Sequence, residues 1–169
     1  MLSGLFMLMV QVNNAGIARE PNQELMPLTE LPVEDAAKQF ASVYQTNVFA
    51  VVTVTNAFLP LLRKASAARI VNVSSTLASI GKGMTLSRAA AYSTSKSALN
   101  ALTVYYAKDL TDTPIKVNAV CPGHCGTDLN DFRGPRTPAQ GAAIAITMAM
   151  LPADGPNGGF FDDNGSIPW

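Results

Sequence analysis

The chain has 169 residues, 48% of them hydrophobic and 14% charged, and its 12 basic and 12 acidic side chains give a formal net charge of +0. This length suits one domain with a substantial core, so residues 1–169 are expected to form a single unit. The balanced charge argues against a nucleic-acid-binding protein, and the apolar composition favours a parallel sheet covered by helices on both faces.

The first predicted element is a buried strand over residues 5–12. The segment that leads into it lacks a basic start and a small-residue cleavage pattern, so we expect no signal peptide, no membrane span and a cytoplasmic location. The strand ends at the sequence NNAG (residues 13–16), where asparagine and glycine favour a turn that a ligand can approach closely. Residues 17–32 contain three prolines and are expected to form a loop.

A long helix is predicted over residues 33–64, with Asp35 near its start and Arg63 and Lys64 at its end, as the helix dipole prefers. Asn47 lies in the middle of an apolar stretch of this helix. Because a buried amide needs hydrogen-bond partners, Asn47 is either a satisfied core residue or part of a functional site.

The second predicted strand, residues 69–75, ends in two serines and is followed by a loop over residues 76–88. The next helix starts near Ala89 and carries Tyr92 and Lys96, which are one turn apart and project from the same side. The charge of Lys96 favours a phenolate, so we expect it to lower the pKa of Tyr92 from the ordinary value of about 10. Such a tyrosine donates a proton to an oxygen and takes it back.

The rest of the chain continues the alternation of strands and helices. A strand over residues 116–121 is stopped by a Pro-Gly pair, a polar segment covers residues 127–138, a helix covers residues 139–151, and residues 158–162 form a last short strand. This order predicts a parallel α/β sheet with right-handed crossovers.

Cys121, His124 and Cys125 lie within five residues of one another. Two thiols and one imidazole without a second ligand cluster fall short of a structural zinc site, and two cysteines do not make a disulfide framework. We therefore expect neither a metal nor a disulfide. A Ser-His-Asp hydrolase would have to use His124, and no G-x-S-x-G motif accompanies it.

Polar residues follow each of the main predicted strands. They are Asn14 and Gly16, Ser74 and Ser75, and the segment from Pro122 to Thr127. Ligands of open α/β sheets bind beyond the carboxyl ends of the strands, and the Tyr92 helix begins at the same edge. These groups should therefore converge on one cleft.

The sequences NNAG, VNVSS, YSTSK and CPG, with Thr127 four residues after Gly123, together resemble the short-chain dehydrogenase/reductase family. Asn47 also precedes Ser75 at the spacing usual in that family. The long segment between Ser75 and Tyr92, the sequences ALTVYYAKDL and RTPAQGA, and the ending over residues 151–169 look most like the carbonyl reductase branch. The resemblance runs from about residue 5 to the end and implies a Rossmann-like fold with a parallel sheet and flanking helices.

The resemblance implies an NAD(P)-dependent oxidoreductase that reduces an aldehyde, ketone or quinone to an alcohol, or runs the reverse reaction. In it, Tyr92 would protonate the carbonyl oxygen as hydride arrives at carbon. Lys96 would lower the Tyr92 pKa and hold the nicotinamide ribose. Ser75, rather than Ser74, would hydrogen-bond the substrate oxygen. Asn47 would hold a water that relays protons to Lys96.

The same resemblance implies a cofactor cleft, with NADP(H) expected rather than NAD(H). Its residues would be Asn14, Ala15, Gly16, Tyr92, Lys96, Pro122, Gly123, Cys125 and Thr127. Of these, the segment from Pro122 to Cys125 would face the nicotinamide and Thr127 would reach the pyrophosphate.

One departure from the family is that no G-x-x-x-G-x-G turn stands anywhere in the sequence, and the family's first three strands have no counterpart. This favours the alternative hypothesis of a truncated, non-catalytic remnant that serves as an interaction module, or of a gene fragment. It also predicts that the strand over residues 5–12 lies at an open edge, through which the chain self-associates, and that the chain binds NADPH negligibly.

Overall fold

A computed structural model of the chain describes residues 7–19, 24–83 and 88–169. In this part of the chain, strands form one sheet in the order β1-β2-β3-β4-β5. The strands are β1 (Leu8–Asn13), β2 (Ala67–Val73), β3 (Ile115–Val120), β4 (Phe160–Asp162) and β5 (Gly165–Ser166). The first four are parallel, as predicted, and β5 runs antiparallel to β4. The sequence did not predict β5, because two residues are too few to show an alternating pattern.

The described residues contain four α-helices: α1 (Val33–Tyr44), α2 (Ala50–Leu62), α3 (Ala90–Asp109) and α4 (Pro138–Ala149). Of these, α2, α3 and α4 pack on the sheet. The start of α4 illustrates how the sequence sets a boundary, since Thr137 caps it reciprocally with Gln140 and a proline occupies the first turn. Short 3-10 turns at Leu28–Glu30, Thr76–Ala78 and Asp128–Asn130 lie within segments predicted as loop or polar.

The helix predicted over residues 33–64 is continuous but not uniform. A π-helical turn over Gln45–Phe49 separates α1 from α2, and Asn47 lies in this turn. Such turns occur often at functional sites, because the extra residue in the turn changes the direction of the side chains.

The core lies on both faces of β2 and β3. On one face Ile70 packs with Leu62 of α2, Leu110 and Val117. On the other face Val71 packs with residues of α4 that include Ile144 and Met148. Covering both faces explains why nearly every residue of these two strands is buried, without the alternation of a half-exposed strand.

β1 is an edge strand of the described sheet and pairs with β2 alone. The expectation of a fully buried strand is wrong, because Val10 is 39% and Val12 is 45% exposed. Leu5 and Phe6, which were also expected in this strand, lie outside the described residues. The expectation of an open edge at β1 agrees with the strand order.

By length and composition alone, the helical run Val33–Leu62 would suffice to cross a membrane. In this fold the side chains of Asn47 and Thr55, both within the run, are buried against α3 and β1, where they form hydrogen bonds. On its outer side Phe58 and Leu61 are exposed.

Candidate active site

Apart from Ala15 and Asn47, the predicted site residues line one cleft of about 1070 Å³ at the carboxyl ends of β1, β2 and β3. Those that line it are Asn14, Gly16, Ser75, Tyr92, Lys96, Pro122, Gly123, Cys125 and Thr127. Asn47 is fully buried behind this surface. Parallel strands thus bring together residues that are separated by more than a hundred positions in the chain.

Tyr92 and Lys96 project from the first two turns of α3, with the Lys96 Nζ atom 5.8 Å from the centre of the Tyr92 ring. Lys96 is only 4% exposed, and its ammonium donates a hydrogen bond of 2.8 Å to the Val73 carbonyl at the end of β2. Burial disfavours the charged form and lowers the pKa of Lys96 to about 8.

The pKa of Tyr92 is raised to about 12, mainly because burial disfavours the phenolate. A hydrogen bond with the Ser75 side chain lowers this pKa, while the charge of Cys121 raises it further. The expectation that Lys96 lowers the Tyr92 pKa is therefore wrong for this structure. The ammonium is directed to the Val73 carbonyl, and burial dominates. Tyr92 is consequently a neutral phenol, the form that donates a proton, throughout the neutral pH range.

The two serines at the end of β2 have different surroundings. Ser74 is 2% exposed and donates a hydrogen bond of 2.6 Å to Oδ1 of Asn100 inside the core. The Ser75 Oγ atom accepts a hydrogen bond of 3.2 Å from the Leu77 amide and lies beside the Tyr92 phenol. Both serines line the cleft, but only the Ser74 hydroxyl is committed to a partner in the core.

Asn47 fixes the turn after β1. Its Oδ1 atom accepts from the Ile17 amide at 2.9 Å, and its Nδ2 atom donates to the Ile17 carbonyl at 2.9 Å. The turn is held so close that a Cβ atom on Gly16 would lie 3.2 Å from Nζ of Lys96 and 3.3 Å from Oδ1 of Asn47. A side chain at this position would crowd Lys96 and Asn47. Asn47 is both satisfied in the core and adjacent to the site.

Ser95 is a site residue that the sequence analysis missed. It is fully buried, accepts a 2.9 Å hydrogen bond from Nδ2 of Asn47 and donates a 2.7 Å hydrogen bond to the Tyr92 carbonyl. It thus joins the π-helical turn to the start of α3. The only signal in the sequence was its place inside YSTSK, and a serine there is hard to distinguish from an ordinary helix residue.

An ion pair that the sequence also did not indicate joins two loops that line the cleft. Arg19, after β1, contacts Asp131, after β3, at 3.0 Å, and Arg133 lies 3.5 Å from the same carboxylate oxygen. All three residues line the cleft. The pair joins two loops that are 112 positions apart, which no local pattern can predict.

The loop after β3 completes the cleft. Gly123 has a φ of +76°, and a Cβ atom at this position would lie 2.8 Å from the Arg136 side chain, so glycine is required on both grounds. Both cysteines are free thiols, and Cys121 Sγ accepts a hydrogen bond from the Thr76 amide at 3.2 Å. Within the described residues, no group of three or more His, Cys, Asp or Glu side chains is placed to hold a metal ion.

Comparison with known proteins agrees with this geometry. The family model of short chain dehydrogenases matches residues 3–137. Salutaridine reductase of Papaver bracteatum is 30% identical, in an alignment that covers 90% of this chain and 68% of that protein.

Two solved carbonyl reductases are also similar. Sniffer of D. melanogaster has a TM-score of 0.80 and 33% identity, covering 95% of this chain and 66% of that one. The NADPH-bound enzyme from chicken fatty liver has a TM-score of 0.73 and 29% identity, covering 94% and 64%. The chain therefore spans about two thirds of the length of these relatives. From its matched motifs, its fold and these similarities, the chain belongs to the short-chain dehydrogenase/reductase family of oxidoreductases.

Proposed function

We propose that the site reduces a carbonyl compound, an aldehyde, ketone or quinone, to the alcohol with a nicotinamide cofactor as hydride donor. The observation that carries this proposal is the meeting of Tyr92, Ser75 and Lys96 at one large cleft beyond the strand ends. The carbonyl reductases among the similar structures support the same reaction class.

The residues of the cleft fit a dinucleotide. The turn at Gly16 brings main chain against Lys96, and both residues line the cleft, so a ligand held by Lys96 would lie next to this turn. Asn14, Gly16, Tyr92, Lys96 and Thr127 would hold the cofactor, which supplies the hydride when bound. The relative from chicken fatty liver binds NADPH, which supports NADP(H) for this chain.

The proton donor would be the Tyr92 phenol. Burial keeps it protonated at neutral pH, so it can transfer that proton to the carbonyl oxygen as negative charge develops there. The Ser75 hydroxyl accepts from the Leu77 amide and lies beside the Tyr92 phenol, so its own proton would be donated to the same oxygen when a substrate binds. Lys96, with a pKa of about 8, gains or loses a proton near neutral pH and would return one to Tyr92.

The first prediction concerns Tyr92→Phe. Removing the phenolic proton should lower kcat by about 10² to 10⁴, the usual contribution of general acid catalysis, and should change NADPH affinity little. The measurement is NADPH oxidation with a panel of aldehydes, ketones and quinones. Tyr105→Phe is a matched control, since Tyr105 lies on the same helix but is 66% exposed. Equal activities of the two variants would remove Tyr92 from the mechanism.

The alternative proposal is a non-catalytic interaction module. It is favoured by one observation, that β1 lies at an edge of the described sheet with Val10 and Val12 exposed. Titration of the purified chain with NADPH, followed by nicotinamide fluorescence, separates the two proposals. A folded chain that does not bind NADPH would support the interaction module.

A further inference from the structure

The segment that follows Ser75, residues 76–81, is held at Ser79 and Gly81 by the last residues of the chain. Ser79, which is fully buried, donates a hydrogen bond of 2.6 Å from Oγ to the Pro168 carbonyl. The Gly81 amide donates one of 2.8 Å to the Trp169 carbonyl. The fit is close, because a Cβ atom on Gly81 would lie 3.1 Å from Cβ of Pro168.

The anchoring residues are themselves fixed to the sheet. Ile167 is 4% exposed, packs in a cluster with Phe160 and Cys121, and donates a 2.7 Å hydrogen bond from its amide to the Phe160 carbonyl. The Trp169 ring stacks on the Phe160 ring, with centroids 5.7 Å apart and planes at 14°. The segment Ile167–Trp169, here called the C-terminal clasp, is therefore fixed to β4, and residues that bond to it are fixed to the sheet in turn.

The first residues of the same segment, directly after Ser75, form a wall of the cleft. Thr76 and Leu77 line the cleft, and the Leu77 amide holds the Ser75 hydroxyl. Other anchors come from elsewhere in the fold: Cys121 accepts from the Thr76 amide, and the Ser97 hydroxyl donates to the Ala78 carbonyl at 2.8 Å. Hydrogen bonds thus hold the wall to α3, to Cys121 directly after β3, and to the C-terminal clasp.

We propose that the C-terminal clasp is a positioning element for the carbonyl-binding wall formed by Ser75, Thr76 and Leu77, and that Ser79 is its main point of contact. The effect on catalysis rests on the proposed function. Ser79 is four residues from Ser75, so at most about 14 Å of chain separates them, and the 3-10 turn Thr76–Ala78 shortens this distance. Releasing the clasp should loosen the wall without moving Tyr92 and Lys96, which are fixed on α3.

The experiment compares Trp169→Ala and Ser79→Ala with the wild-type chain and with Thr147→Ala. Thr147 is an exposed residue of α4, whose hydroxyl bonds only within its own helix among the described contacts. Amide hydrogen exchange is measured at Leu77, at Gly81 and at Lys82, whose amide donates to the Ser79 hydroxyl at 3.1 Å. Val117 of β3 is an internal reference. KM for a carbonyl substrate and NADPH affinity are measured in parallel.

We expect exchange at all three amides to be at least tenfold faster in both clasp variants and unchanged in Thr147→Ala. Exchange at Val117 should not change, which distinguishes loosening of the wall from global destabilisation. KM for the carbonyl should rise about tenfold while NADPH affinity stays constant.

Faster exchange at Gly81 and Lys82 with unchanged exchange at Leu77 would overturn the proposal, because the clasp would then hold only the distal loop. Faster exchange at Leu77 with an unchanged KM would overturn its catalytic part. If the wild-type chain lacks reductase activity, the proposed function fails, while exchange at Leu77 still decides whether the clasp positions the wall.

Discussion

Burial acts on the two ionisable residues of the site in opposite directions, and in both it favours the neutral form. It raises the pKa of Tyr92 to about 12 and lowers that of Lys96 to about 8. Near neutral pH the phenol is therefore protonated and the lysine is close to its pKa, so a proton can pass between the two groups and a ligand. The same burial makes the stability of the fold depend on pH in two separate windows.

The Lys96 window lies between pH 8 and the ordinary lysine value of 10.5. In this range the unfolded chain binds a proton that the folded chain has released, so the free energy of unfolding should rise with pH, by up to about 1.4 kcal/mol per pH unit. Below pH 8 both states are protonated, and the full cost of burying the ammonium is present. In Lys96→Met this rise should be absent, as measured by urea unfolding at a series of pH values.

Lys108→Met is the control for this prediction, because Lys108 is an exposed residue in the last turn of the same helix. Its stability profile should retain the rise. The contribution of Tyr92 to the free energy of unfolding changes at higher pH, between about 10 and 12. In this range the unfolded phenol has ionised and the folded one has not. If the free energy of unfolding of Lys96→Met changed with pH in parallel with that of the wild type, the charged form of Lys96 would not destabilise the fold, and the prediction would be wrong.

At the scale of elements, the site depends on how the π-helical turn joins the turn after β1 to α3. Asn47 makes this connection through three hydrogen bonds, two to Ile17 and one to Ser95. Because its side chain is fully buried, water cannot readily replace those bonds if the amide is removed. The connection therefore supports both stability and the position of Gly16 beside Lys96.

We expect Asn47→Ala to lower the free energy of unfolding by about 1–3 kcal/mol, the usual cost of leaving buried polar groups without partners. Asn56→Ala is the matched control: Asn56 lies on α2 and is exposed, and it accepts a hydrogen bond from the Tyr106 hydroxyl. Its removal should have less than half the effect. Equal losses of stability in urea unfolding would contradict the assigned role of Asn47.

The sequence predicted the elements whose pattern is local. The alternation of strands and helices, the side shared by Tyr92 and Lys96, and the convergence of polar groups at the strand ends all follow from spacing along the chain. The π-helical turn, the role of Ser95 and the Arg19–Asp131 pair could not be predicted, because each depends on partners distant in the sequence. The direction of the Tyr92 pKa shift was also wrong, since burial is a property of the whole fold.

At the scale of the molecule, two apolar surfaces of the described chain are open to solvent. One is β1, at the edge of the sheet, where Val10 and Val12 are exposed. The other is the outer side of α2, where Val54, Phe58 and Leu61 are exposed. An open strand edge offers unpaired N–H and C=O groups as well as apolar side chains, so it is the stronger site for association.

The last prediction is that the chain self-associates through β1. Val10→Lys should shift the chain towards monomer, because a lysine on an edge strand opposes pairing with another strand. Val33→Lys is the control, since Val33 is 89% exposed at the start of α1, away from the edge. Sedimentation velocity over a range of concentrations measures the effect, and Phe58→Lys tests the rival surface on α2. Dissociation by Phe58→Lys with none by Val10→Lys would assign the association to the helix, whose apolar side chains would then outweigh the unpaired backbone groups of β1.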